Sequence, residues 1–285
     1  MKPLDYFYDT PAEGKGHFPQ RFAAFFFGLV WVIITPLFRF KFYNADFLKE
    51  GRLRAAKKSE QPEQSEQSAQ LEQPDQPEQV NQSGFIIAGN HSSYLDPLFV
   101  MMALRPRSMR FIGKEEFFKI PGIRRLAAWV GAYPVKRGEA DMKAVKRSVT
   151  MLKRGELVGI FPEGTRGRGH EANAPREAHE GVALIAQLAK AQVVPVRLWG
   201  ASEISPPGAR RWHFPRITAC FGVPLSLADE PYASLDKHQR LTQFTADVMA
   251  AVYELENPRD KGKATANKTN TTNDTNDTND TAGTA

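Results

Sequence analysis

Between residues 85 and 221, short apolar runs alternate with segments of helical period, and few architectures accept that alternation. The runs at 85–88, 109–112, 132–135, 158–161, 193–198 and 217–221 are too short for stable helices and read as strands. Residues 94–104, 124–129, 141–154, 182–189 and 235–255 read as helices. In 141–154, Met142, Val145, Val149 and Leu152 fall at i, i+3, i+7 and i+10, while Lys143, Lys146, Arg147 and Lys153 lie off that stripe. Strands that are apolar along their whole length are buried on both faces. The expected fold class is therefore α/β, with a mostly parallel central sheet and helices on both faces.

The flanks are different. Residues 22–38 form a seventeen-residue stretch without charge, bracketed by Arg21 and Arg39. As a helix it would span about 25 Å against a hydrocarbon core of about 30 Å, and Pro36 weakens its last turn. Acids precede it and no small-residue cleavage site follows, which argues against a cleaved signal peptide. The expectation is an N-terminal membrane-inserted helix, spanning or re-entrant. The cations after it, Lys41, Lys49, Arg52, Arg54, Lys57 and Lys58, place that flank and the active site on the cytoplasmic side of the cell membrane.

Two segments lack the apolar content that offsets ordering entropy. Residues 59–80 hold six acids and no Lys or Arg; residues 264–285 are mostly Asn, Thr and Asp, with a net charge of −2. Removing −6 and −2 from a whole-chain charge of +6 leaves +14 on the remainder. That excess suits a phospholipid surface or a phosphate ester. Nucleic acid is not expected as a partner, because no zinc-finger spacing or RNP-like run occurs. The single cysteine, Cys220, excludes an intrachain disulfide and lies in an apolar run, as a core thiol would. The expected organisation is an anchor and basic flank at 1–58, a disordered Gln/Glu-rich linker at 59–83, the α/β domain at 84–260 and a disordered tail at 261–285.

Two motifs carry chemistry, and each follows a strand, at the edge where open α/β sheets bind ligands. The first is Asn90-His91-Ser92-Ser93-Tyr94-Leu95-Asp96-Pro97. An imidazole beside a carboxylate is a base able to take a proton from an alcohol. Five residues subtend about 140° on a regular helix, so His91 and Asp96 can meet only across a loop-to-helix junction, with Ser92 and Ser93 as backbone caps. The other reading is a satisfied loop histidine and a capping aspartate. The second motif is Phe161-Pro162-Glu163-Gly164-Thr165-Arg166, with a glycine for close backbone approach and a guanidinium fork for phosphate that Glu163 could orient. Its alternative is an ordinary surface turn with an ion pair. Arg137, after the run ending at Val135, is a further phosphate candidate or a solvated charge. Gly89-Asn90-His91 also fits binuclear metallophosphoesterases, but the six histidines form no HxH or HExxH. No GxSxG elbow supports a nucleophilic serine.

In order, NHSSYLDP, GAYPVKR, FPEGTR and VVPV resemble the four blocks of the glycerolipid acyltransferases, most closely the bacterial 1-acyl-glycerol-3-phosphate acyltransferases. The resemblance covers residues 85–221. It implies His91 as general base and Asp96 as the group holding its tautomer. It implies Lys114, Arg137 and Arg166 as phosphate contacts, Glu163, Gly164 and Thr165 as the substrate-binding loop, and Pro195 as structural. It further implies acyl transfer to the sn-2 hydroxyl of lysophosphatidic acid. The donor would be acyl-CoA or acyl carrier protein, with no cofactor and no metal. Another lysophospholipid or glycerol 3-phosphate as acceptor, a non-catalytic lipid-binding protein, and a metal-dependent phosphoesterase remain as alternatives. Pro134 and the pair His179-Glu180 depart from the pattern, the latter standing where a Lys or Arg usually precedes the glycine aligned with Gly181.

Overall fold

In a computed structural model the described residues are 20–45, 84–104, 109–119, 132–135, 141–167, 174–206 and 208–260. Helix α1 (Gln20–Leu37) turns into β1 (Lys41–Tyr43). Strand β2 (Ile86–Gly89), helix α2 (Asp96–Leu104), β3 (Met109–Lys114) and β4 (Ala132–Val135) follow. Next come α3 (Met142–Lys153), β5 (Leu157–Ile160), α4 (Gly181–Ala189), β6 (Val193–Trp199), β7 (Thr218–Phe221) and α5 (Lys237–Glu254). The expected helix at 124–129, the linker at 59–83 and the tail at 261–285 lie outside the described residues.

The strands form one sheet in the order β1-β7-β6-β2-β5-β3-β4. Every pair is parallel except β6–β7. The two-residue period of the strands separates two cores. Ile86, Ala88, Val158, Ile160 and Val193 face α3, α4 and α5, packing with Leu152, Val182 and Phe244. Ile87, Val194, Val196 and Leu198 face α2 and the end of α1, packing with Phe99, Phe38 and Phe40. Helices therefore cover both faces, as the apolar strands require.

Strand β1 is not among the expected elements. It falls inside the segment read as an anchor and its flank, yet it pairs with β7 from Lys41↔Thr218 to Tyr43↔Cys220. Helix α1 is correspondingly tied to the domain: Val30, Trp31 and Ile34 pack against the α2-side core. Among the described residues no helix is long and apolar enough to cross a membrane, against the spanning form of the membrane-inserted helix expected there.

Two consequences for the site follow from topology. Strands β2 and β5 are neighbours, with Ala88 opposite Ile160, so the loops leaving their carboxyl ends lie side by side although 72 residues apart. Strand β7 runs antiparallel to β6 and begins opposite Trp199; β1 begins opposite Thr218. The β6–β7 connection and the end of α1 thus emerge at the same sheet edge as those two loops.

Candidate functional site

Gly89 ends β2 where a Cβ would come within 2.9 Å of Val196 Cγ1. The chain then leaves the sheet through Asn90, whose buried amide accepts from Leu198 N (2.8 Å) and donates to Leu198 O (3.0 Å). This pairing replaces the ladder bonds lost as the strand ends and pins the loop to β6. At the next residue the imidazole Nδ1 lies 2.9 Å from Asp96 Oδ2. The same oxygen accepts from Ser92 N (2.6 Å) and Ser93 N (2.7 Å). The serines thus contribute backbone N–H groups to Asp96, and Ser93 Oγ also acts as a cap, toward Leu95 N at 3.3 Å.

Asp96 opens α2 and is fully buried, while the His91 side chain keeps 14% of its surface exposed. A carboxylate oxygen facing the ring at this distance accepts from it and so selects the tautomer with the proton on Nδ1. The imidazole also stacks on Phe161, with centroids 4.4 Å apart and planes 17° from parallel. Its orientation is fixed from two directions, and Nε2 makes no hydrogen bond among the described residues.

The second loop is arranged differently from expectation. Glu163 does not orient Arg166; its carboxylate is taken by Arg176 Nη2, by Tyr253 OH and by His91 N (3.1 Å). Arg176 also donates to His91 O (3.0 Å) and Thr165 O (2.9 Å), and Gly167 N donates to His91 O at 2.9 Å. A cation beside a buried carboxylate offsets its desolvation, so this group holds the backbone of His91 in place from behind. Gly164 supports the tight turn with φ +66°, and a Cβ there would come within 2.9 Å of the His179 ring.

Tyr253 reaches this network from the far end of α5. Burial, reinforced by the bond to Glu163, pushes its phenol well above the usual range, so it remains a donor. Arg197 of β6 in turn donates to the carbonyls of Tyr253 and Leu255 (3.0 Å for the latter) and lies 5.2 Å from the Tyr253 ring centroid. Burial lowers the Arg197 pKa from its ordinary value. The sequence singles out none of Arg176, Tyr253 and Arg197. The one hint is the missing cation before Gly181; Arg176 stands five residues before that glycine, in a stretch without periodicity.

Arg166 is half-buried, with its guanidinium carbon 3.3 Å from the centroid of the exposed Tyr94 ring. Stacking leaves the in-plane N–H fork able to meet an anion. Thr165 is exposed on the same loop. Lys114 is the last residue of β3, in register with Val135. Arg137 lies outside the described residues. The structure therefore brings together His91, Asp96, Glu163, Gly164, Thr165 and Arg166.

Residues 66–199 match the family model described as Acyltransferase. A 1-acyl-sn-glycerol-3-phosphate acyltransferase of Bacillus subtilis is 32% identical over 179 residues, covering 63% of this chain and 84% of its own. One from Streptococcus pneumoniae is 28% identical over 150 residues, covering 51% of each chain. A crystal structure of the 1-acyl-sn-glycerophosphate (LPA) acyltransferase PlsC from Thermotoga maritima shares 23% identity, covering 59% of this chain and 64% of that one, with a TM-score of 0.46.

Proposed function

The chain belongs to the acyltransferase family that includes the 1-acyl-sn-glycerol-3-phosphate acyltransferases, and on that premise we propose that it acylates the sn-2 hydroxyl of lysophosphatidic acid to give phosphatidic acid. The observation that carries this reading is the 2.9 Å contact between His91 Nδ1 and Asp96 Oδ2, which leaves Nε2 as a base. Nε2 takes the proton of the acceptor hydroxyl as its oxygen attacks the thioester carbonyl. The C–S bond breaks, and the imidazolium returns the proton to the departing thiolate. Asp96 stabilises the imidazolium while it lasts. A thiolate is a stable leaving group, so a base and good positioning supply the chemistry without a cofactor.

Arg166, Lys114 and Arg137 are proposed to hold the acceptor phosphate, with Gly164 and Thr165 shaping the loop around it. The donor is an acyl thioester of coenzyme A or acyl carrier protein. The enzyme works at the cytoplasmic face of the membrane, where its amphipathic acceptor resides. Support for contact with a membrane is the outward stripe of α1, in which Leu29, Val32, Ile33 and Leu37 are exposed. These positions repeat at three and four residues and so share one face.

The test is an assay of the purified full chain. Labelled acyl-CoA and acyl carrier protein are offered with lysophosphatidate, other lysophospholipids or glycerol 3-phosphate, with and without chelator. Lysophosphatidate should be preferred, with no effect of chelator, and His91→Ala should lower turnover by about 10³–10⁴-fold. Turnover of a different acceptor alone would overturn the substrate assignment; near-full activity of His91→Ala would overturn the base.

A further inference from the structure

The connection between β6 and β7 takes no part in the catalytic network, yet its composition is unusual. It holds Arg210, Arg211, Trp212, His213, Phe214 and Arg216 in succession around Pro215. Apart from the proline these residues are all exposed, Trp212 at 61%. Between Gly200 and Ile217 the only acid is Glu203. An exposed tryptophan among arginines is poorly explained by packing, since each large apolar side chain left in water forgoes about 1.5–3 kcal/mol of burial.

The loop is built into the fold at its base. Ile204 is buried and accepts at its carbonyl from His213 N (2.8 Å). Gly200 makes the entry turn at φ +83°, where a Cβ would come within 2.3 Å of Arg216 O. The loop is also joined to α1. Phe214 stacks edge-on against Phe38 with centroids 5.4 Å apart, and Arg39 Nη2 donates to Phe214 O at 2.8 Å. The aromatic, cationic loop therefore meets the chain just beyond Leu37, where the bare stripe of α1 ends. That junction lies at the sheet edge that carries His91.

We propose that residues 208–216 form a second lipid-contacting element, which seats the active-site edge on an anionic phospholipid surface. Trp212 and Phe214 enter the interface, where amphipathic rings partition favourably. Arg210, Arg211 and Arg216 meet the headgroup phosphates. Two contacts, one from α1 and one from the loop, fix the tilt of the sheet edge against the bilayer, so the acceptor hydroxyl reaches His91 without leaving the membrane. The occupant is a lipid surface because the loop adjoins the end of an exposed apolar stripe, which an acidic soluble partner would leave uncovered. This inference rests on the acyltransferase reading only for its purpose; vesicle binding is measured without turnover.

The experiment compares the full chain with Arg210→Gln/Arg211→Gln, with Trp212→Ala, and with Lys153→Gln/Lys190→Gln. The last pair removes two exposed cations that precede β5 and β6, at the opposite sheet edge. Partition is measured by co-sedimentation with vesicles of phosphatidylcholine alone and with phosphatidylglycerol added. At about fivefold per cation, the first variant should lose roughly 25-fold on anionic vesicles, with little change on neutral ones. Trp212→Ala should lose about tenfold on both, and the control pair should bind as the unaltered chain does. Equal loss in the control pair, or no loss in either loop variant, would overturn the proposal. So would unchanged vesicle binding with lost binding of acyl carrier protein, which would make the loop a protein-docking site. Turnover of a water-soluble short-chain lysophosphatidate is followed in parallel. If the unaltered chain fails there, the acyl-transfer reading falls while the vesicle result stands.

Discussion

The two loops of the site are held by different kinds of contact. In the loop after β2, the carboxylate of Asp96 takes its bonds from Ser92, Ser93 and His91, none more than five residues away. In the loop after β5, the carboxylate of Glu163 takes its bonds from residues 13, 72 and 90 positions distant. The first is a local device that needs little beyond the start of a helix. The second exists only once α5, the segment before α4 and the β2 loop have been assembled. A buried acid can therefore orient a neighbouring ring in one loop and clasp distant segments together in the next, depending on what it meets.

That contrast can be broken by mutation. Asp96→Asn can keep both serine N–H bonds but gives up the charge facing the imidazole. Turnover should fall about 10²–10³-fold with a small change in melting temperature. A large loss of stability instead would show that the local loop is also a clasp. Arg176→Ala strands Glu163 in the interior. It should cost about 3 kcal/mol in stability and about tenfold or more in turnover, measured by denaturant titration and steady-state kinetics. Adding Glu163→Gln removes the stranded charge, so stability should largely return while turnover does not. Recovery of both would mean that the clasp does nothing for His91. Tyr253→Phe deletes one bond and should cost about 1 kcal/mol with a severalfold drop in turnover. An effect as large as that of Arg176→Ala would place α5 at the centre of the network.

The same distinction explains which parts of the molecule are legible in the chain. The runs at 85–88, 132–135, 158–161 and 193–198 match β2, β4, β5 and β6 to within a residue, because apolar runs of that length have few other uses. His91 and Asp96 are legible because the residues that join them are adjacent in the chain. Strand β1 is not, since three residues of mixed character (Lys41, Phe42, Tyr43) acquire their role only by pairing with β7. Arg176 is not either, because nothing near it in sequence marks the acid it meets. The role expected of Glu163 shows the error that follows: proximity suggests Arg166, and the tertiary structure supplies Arg176 instead.

Helix α1 divides in the same way. Its residues are apolar on all sides, which is compatible with a protein interior or with lipid. The structure packs Val30, Trp31 and Ile34 against the core and leaves Leu29, Val32 and Ile33 exposed. From sequence alone come the layered α/β architecture, the position of most strands and the His91–Asp96 pair, because these depend on periodicity and on contacts between near neighbours. Tertiary structure decides that Glu163 is clasped by Arg176 and Tyr253, that the end of α1 meets the loop at 208–216, and that both emerge at the sheet edge carrying His91. Those relations join residues far apart in the chain, and no local pattern encodes a distance that only folding creates.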